Sequence, residues 1–404
     1  MCYYKFFVSL PYINRESMKK IKIGLLPRIL IAILLGIIIG QVFPLGLVRV
    51  FETFNSIFSQ FLGFCIPLII VGLVTIAIAD IGRGAGKMLL ATVLLAYGCT
   101  LLAGFLSLFT GLSLFPSLIT SGIPLEEISE AQGVEPYFSV KIPPLMDVMT
   151  SLVMAFVLGL GAATLDSDHL KNVARDFQQI IIKTISSVIL PLLPLYIFGI
   201  FLNMTHTGQV FSILVVFIKI IGIIFALHIF WLVMLYVVTG SLVHRNPFKL
   251  LWTMLPAYFT ALGTQSSAAT IPVTLEQAKK NGVSNEVAGF VIPLCATIHL
   301  SGSMLKIVSC ALALMIMQGM PYSIGMFSGF ICMLGITMVA APGVPGGAIM
   351  AALGVLQSML GFDDAAQALM IGLYIAMDSF GTACNVTGDG AIALIIDKFK
   401  KKEI

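Results

Sequence analysis

Charge is what this sequence has least of. Asp, Glu, Lys and Arg make up 10% of its 404 residues, against roughly a quarter in an ordinary soluble domain. With 58% of residues hydrophobic and a mean hydropathy of +1.04, a soluble globular class is excluded. The seven cysteines (Cys2, Cys65, Cys99, Cys295, Cys310, Cys332 and Cys384) include no CxxC pair, and the five histidines lack metal-ligand spacing. Neither a disulfide framework nor a zinc site is indicated. No nucleophile–base pair is visible, so nothing points to an enzyme. The net charge of +4 reflects a loop bias and needs no nucleic-acid partner.

Long apolar runs are what the chain has in abundance. They recur near or above the roughly 20 residues that cross a bilayer. Helices are expected near Ile23–Phe43, Phe54–Ala79, Met88–Phe109, Val148–Leu165, Ile180–Leu202, Val210–Val238, Ala288–Gln318 and Ala366–Ile396. This predicts an all-α membrane protein of about eight spans in one domain over residues 23–398. Residues 1–22 read as a cytoplasmic lead-in and 399–404 as a basic cytoplasmic tail. Lys19, Lys20 and Lys22 precede the first span, and Arg83, Lys87, Lys171, Arg175, Arg245 and Lys249 lie in alternate loops. The loop 116–140 carries Glu126, Glu127, Glu130 and Glu135 and no basic residue. Basic loops stay inside, so both termini are expected in the cytoplasm, with the protein in the cell (inner) membrane.

Within the last apolar run, Asp378, Asn385 and Asp389 interrupt the hydrophobic pattern. At about 100° per residue they share one helix face. Intramembrane carboxylates are costly and mark a binding or coupling site. A seam that only glues helices together is the weaker alternative. Two other segments break the helix count. Leu251–Lys279 has a Ser-rich centre with basic residues beyond both ends, which predicts a hairpin that enters and leaves from one side. Tyr322–Phe362 is centred on Ala340-Ala-Pro-Gly-Val-Pro-Gly-Gly347. Backbone freed by Gly and Pro at membrane depth is tolerated only inside protein or beside a cavity. Paired interrupted segments point to an alternating-access site for a small solute.

Four motifs, in order, carry a resemblance to the dicarboxylate/amino acid:cation symporter family, which includes the glutamate transporters. They are Thr264-Gln-Ser-Ser-Ala-Ala-Thr-Ile-Pro-Val-Thr274, Pro293-Leu-Cys-Ala-Thr-Ile-His-Leu-Ser-Gly-Ser303, Gly343-Val-Pro-Gly-Gly-Ala-Ile-Met350 and Asn385-Val-Thr-Gly-Asp389. They look like the first hairpin tip, the unwound seventh helix, the second hairpin and the last-helix signature. The resemblance implies a homotrimer in the lipid bilayer, built from inverted repeats and working as an elevator. Scaffold helices would lie mainly in 23–79 and 148–202, and the transport core in 88–114 and 209–398. It implies substrate contacts at Ser266, Ser267, Ser303, Gly343, Val344, Pro345, Gly346, Asp378, Gly381, Thr382, Asn385 and Thr387. Cation contacts would fall on Cys295, Thr297, His299, Asn385 and Asp389, with no organic cofactor.

The departures from that pattern narrow the reading. Acidic-amino-acid members carry an arginine three residues after the aspartate that matches Asp378, and here that position is Gly381. The arginine often found in the first hairpin is Gln265. Without a guanidinium, a second substrate carboxylate would be buried unpaired. A neutral amino acid, its ammonium on Asp378, therefore fits better than glutamate or aspartate. A dicarboxylate or acidic amino acid symporter and a channel remain the alternatives. The family's Asn-Met-Asp-Gly-Thr reads His299-Leu-Ser301-Gly-Ser303 here, and its third-helix Thr-Ser pair aligns with Leu95 and Ala96. One sodium site is thus expected to be missing. His299, Ser301, Lys306 and Asp389 become the coupling candidates, for Na+ and/or H+, with Asp389 the expected partner of Lys306.

Overall fold

Caps and helix breakers decide where this apolar chain turns. The computed structural model describes residues 25–82, 87–119, 134–165, 167–208, 210–339, 341 and 345–403. The first half comprises α1 (Leu25–Gly40), α2 (Leu45–Gly82), α3 (Lys87–Ile119), α4 (Val148–Thr164), α5 (His169–Thr184), α6 (Leu190–His206) and α7 (Val210–Val243). A π-turn over Ile185–Ile189 joins α5 to α6. It lies just ahead of Pro191, which has no N–H to place in a regular helical ladder.

Six helical stretches among the described residues are long and apolar enough to cross a membrane, fewer than the eight expected. The first and fourth expected spans, now α1 and α4, are 16 and 17 residues long. The expected second span began at Phe54, but α2 starts at Leu45. Its polar first turns are used by the chain that follows residue 133. Tyr137 N–H donates to Thr53 Oγ1 at 2.9 Å, and Arg49 donates to the Glu135 carbonyl at 3.0 Å while covering the Tyr137 ring.

Two helical hairpins occupy the second half. In the first, α8 (Pro247–Thr264) meets α9 (Ser267–Lys280) across Gln265-Ser266. Asn246 caps α8, Gln265 turns the chain at φ 54°, and the Ser266 hydroxyl accepts from Ala269 N–H to start α9. These side-chain oxygens satisfy N–H groups that a helix start leaves open. At the base, Arg245 donates to the Asn281 carbonyl, and Asn281 Nδ2 donates to the Leu250 carbonyl. In the second hairpin, α12 (Ile324–Met338) is followed by α13 (Gly347–Leu360). Gly346 initiates α13 at φ 73°, a left-handed conformation that glycine adopts without Cβ strain.

Two expected spans are broken. Ala288–Gln318 divides into α10 (Asn285–Ile298) and α11 (Ser301–Met317) around His299-Leu300. Ala366–Ile396, expected as one helix, divides at Met377 into α14 (Asp364–Ala376) and α15 (Asp378–Glu403). The α15 helix runs through the basic tail, while the lead-in expected over 1–22 lies outside the described residues. The most extensive pairings are α2 with α4, α1 with α6, α3 with α11, and α15 with α8. Two apolar clusters result, and α11 contributes Met304 and Ile307 to one and Leu305 to the other. Where α11 crosses α15, the α10–α11 break faces Asp389 and the break at Met377 faces Lys306.

Candidate functional site

The helices α11 and α15 pass antiparallel. Gly302 lies against Asn385, and Lys306, one turn further on, lies against Asp378. All three polar residues of the expected stripe, Asp378, Asn385 and Asp389, are buried and reach toward the α10–α11 break or α11.

Asp378 opens α15, where a carboxylate meets the positive end of the helix dipole. Its Oδ2 accepts from Gly346 N–H at 2.8 Å, so the second hairpin's tip rests on it. Its Oδ1 lies 3.2 Å from Lys306 Nζ. That ammonium also donates to the Met377 carbonyl at 3.4 Å and sits 3.6 Å from the centre of the Tyr374 ring. The expectation that Asp389 partners Lys306 is therefore corrected. In an antiparallel crossing, a residue further along α11 meets one earlier on α15, which is Asp378.

Asp389 is instead paired with His299, whose Nδ1 lies 2.9 Å from Oδ1. The other ring nitrogen is 3.3 Å from Cys99 Sγ on α3. The imidazole stands on the carboxylate that the resemblance assigns to a cation. Asn385 Oδ1 accepts from Gly302 N–H at 2.8 Å and Ser303 N–H at 3.4 Å, and its Nδ2 donates to Ser303 Oγ at 3.1 Å. Asn385 thereby closes the open start of α11. Ser303 Oγ in turn lies 3.1 Å from Tyr374 OH.

The remaining expected residues divide. Gly346, Ser303, Gly381 and Asn385 belong to this cluster or border it, and Pro345 directly precedes Gly346. Ser267 and Thr382 are buried, while Ser266 caps α9. Gln265 Nε2 donates to Ser379 Oγ at 2.9 Å, so the first hairpin's tip also touches the start of α15. Ser301 Oγ and Thr387 Oγ1 are buried hydroxyls without a protein partner. Cys295 is buried, and its carbonyl accepts the His299 N–H at 2.9 Å. Thr297 is not brought to Asp389: it is exposed, with its hydroxyl on the Leu294 carbonyl. Gly343 and Val344 lie outside the described residues. Sequence reasoning missed Tyr374, Cys99 and Ser379. Single polar or aromatic residues on apolar helices carry no spacing signal, and only helix packing reveals them.

Comparison with known proteins follows this geometry. The family model described as the sodium:dicarboxylate symporter family matches residues 25–399. A serine/threonine transporter (SstT) of Acinetobacter baylyi is 26% identical over 399 residues, covering 94% of this chain and 98% of that protein. One of Acinetobacter baumannii is 27% identical over 402 residues, covering 93% and 97%.

Proposed function

Because the chain belongs to the sodium:dicarboxylate symporter family and is a cation-coupled symporter, not an enzyme, we propose that its substrate is a small neutral amino acid such as serine or threonine. The observation that carries this is the pair Gly381 and Gln265 at the positions where acidic-substrate members are expected to hold arginine. Gln265 already spends its amide on Ser379. The substrate ammonium binds Asp378. Its carboxylate is held by N–H groups and hydroxyls of the hairpin tips, and Thr382 lies on the face of α15 that receives it. The relatives named as serine/threonine transporters support the same class.

A second reading has one specific observation in its favour. Lys306 brings an ammonium to the space beside Gly381, which would let it hold the second carboxylate of a dicarboxylate or acidic amino acid. Uptake into proteoliposomes separates the two. Labelled serine or threonine should accumulate saturably against a gradient, and excess aspartate or malate should leave that uptake unchanged. Competition by aspartate or malate at lower concentration than serine would overturn the neutral-substrate reading, and non-saturable, non-concentrative flux would indicate a channel.

In the same proposal the two hairpins are re-entrant, the second is the outer gate, and the core carrying them slides against a scaffold of α1, α2 and α4–α6 in a homotrimer. Both termini face the cytoplasm of a cell (inner) membrane. Impermeant thiol reagents added outside should label a cysteine placed at Glu127, and not one at Arg83 or Lys249. A cysteine at Gly346 should be labelled from outside and protected by substrate. Outside access at Arg83 would overturn the topology.

For coupling, the loss of side-chain oxygen at Leu95 and Ala96, with Ser301 in place of a carboxylate, removes one sodium site. His299 on Asp389 then makes the proton a coupling ion beside or instead of sodium.

A further inference from the structure

We infer that Lys306 is a resident counter-cation that occupies the substrate-ammonium position on Asp378 whenever the carrier is empty. This rests on the reading that the substrate brings an ammonium to Asp378. It adds what holds the site when no substrate is there.

The surroundings of Nζ are those an amino acid's ammonium would need. A carboxylate oxygen stands at 3.2 Å, a backbone carbonyl at 3.4 Å and an aromatic face at 3.6 Å. Lys306 is 0% exposed, so this ammonium has no solvent in place of these partners. Ammonium over an aromatic face is an arrangement used to recognise cations.

The position depends on Gly381. A Cβ built there would meet Nζ at 2.5 Å. The residue that removes the expected guanidinium therefore also opens the volume through which Lys306 reaches Asp378. Gly381 thus both lacks the guanidinium and leaves room for the Lys306 ammonium.

The same carboxylate carries the gate. Asp378 Oδ2 accepts the Gly346 N–H while Oδ1 holds Lys306. Closing the second hairpin over an unpaired aspartate would bury a lone charge, which is strongly unfavourable. With Lys306 in place the gate rests on a neutral pair. Two ammonium groups cannot share Oδ1, because like charges at that distance repel. Substrate must therefore displace Lys306, and a flexible four-carbon stem permits the movement. Loaded and empty carriers are each neutral at Asp378, the first through the substrate and the second through the lysine.

The two half-cycles then need different cations. Exchange of external for internal substrate uses only loaded carriers, whereas net uptake requires the empty carrier to return. In proteoliposomes, Lys306→Met should lower net serine uptake at least tenfold while exchange stays within twofold. The exchange KM should fall several-fold, because the competitor for Asp378 is gone. Gly381→Ala, which pushes the ammonium away without removing its charge, should lower net uptake more than exchange, by a smaller ratio than Lys306→Met, whatever it does to exchange itself. It also decides the matter if Lys306→Met is not recovered folded, as judged by thermal unfolding of the purified protein. An equal fall of net uptake and exchange, or no change in either, would overturn the counter-cation role. Absence of any amino-acid exchange by the unmodified protein would overturn the substrate reading and this inference together.

Discussion

Asp378→Asn is expected to lower serine or threonine uptake by roughly 100-fold or more. Removing one partner of a buried, hydrogen-bonded charge pair costs about 2–5 kcal/mol, and each 1.4 kcal/mol is about a factor of ten. The change strikes the Gly346 N–H of the gate and Lys306, and with them the position proposed for the substrate ammonium. It also leaves Lys306 buried without its counter-ion, so thermal stability should fall as well, by about 3–5 kcal/mol on the scale of broken buried pairs. The double variant Asp378→Asn with Lys306→Met separates the two losses. It should regain much of the stability, because no unpaired charge remains, and should still fail to transport. Recovery of uptake in the double variant would show that Asp378 serves only to neutralise Lys306 and does not hold substrate.

Asp389→Asn should lower uptake by roughly tenfold or more and flatten its response to both sodium and pH gradients. Asp389 is 1% exposed and paired with His299, so any cation placed there has to displace or share the imidazole. Oxygen is the ligand a hard cation such as sodium prefers, and a ring nitrogen does not replace it. Histidine is the side chain suited to carrying a proton near neutral pH. The groups facing this pair are Cys99 from α3, Cys295 from α10, Cys384 from α15 and Tyr236 from α7, whose hydroxyl donates to the Thr387 carbonyl. None of them supplies a second carboxylate. Acid outside should accelerate uptake by the unmodified protein. His299→Asn, which frees an Asp389 oxygen and offers an amide oxygen, should weaken that acceleration and strengthen the dependence on sodium. Uptake that ignores pH in both proteins and follows only sodium would make His299 a packing residue.

Much of the site was legible because its residues are rare where they occur. Asp378, Asn385 and Asp389 stand out against an apolar run, and their spacing puts them on one face of a helix whatever it packs against. The Ser-rich and Gly/Pro-rich centres of the two hairpins are equally visible, since glycine and proline cannot continue a regular helix. The break at Met377 was not legible. Asp378 suits a helix start but was read as one polar interruption of a continuous apolar run, and the carbonyls freed there are in part satisfied by Lys306 from α11. The extension of α2 back to Leu45 was hidden for a related reason. Arg49 and Thr53 look like the edge of a span until the chain around Tyr137 gives them partners.

The sequence by itself determined the class of protein, the positions of the polar interruptions, the punctuation of the hairpins and the absence of arginine at Gly381 and Gln265. The first three are local properties of composition and periodicity, and the last is read against the family resemblance. Only the tertiary structure decided the pairings. Lys306 meets Asp378, His299 takes Asp389 and Cys99, and Gln265 reaches Ser379. A helix's own period says which face a side chain shares. It does not say in which direction, or at what register, a second helix crosses that face. The antiparallel passage of α11 over α15 places Lys306 on Asp378, and the break ahead of α11 places the His299 imidazole on Asp389.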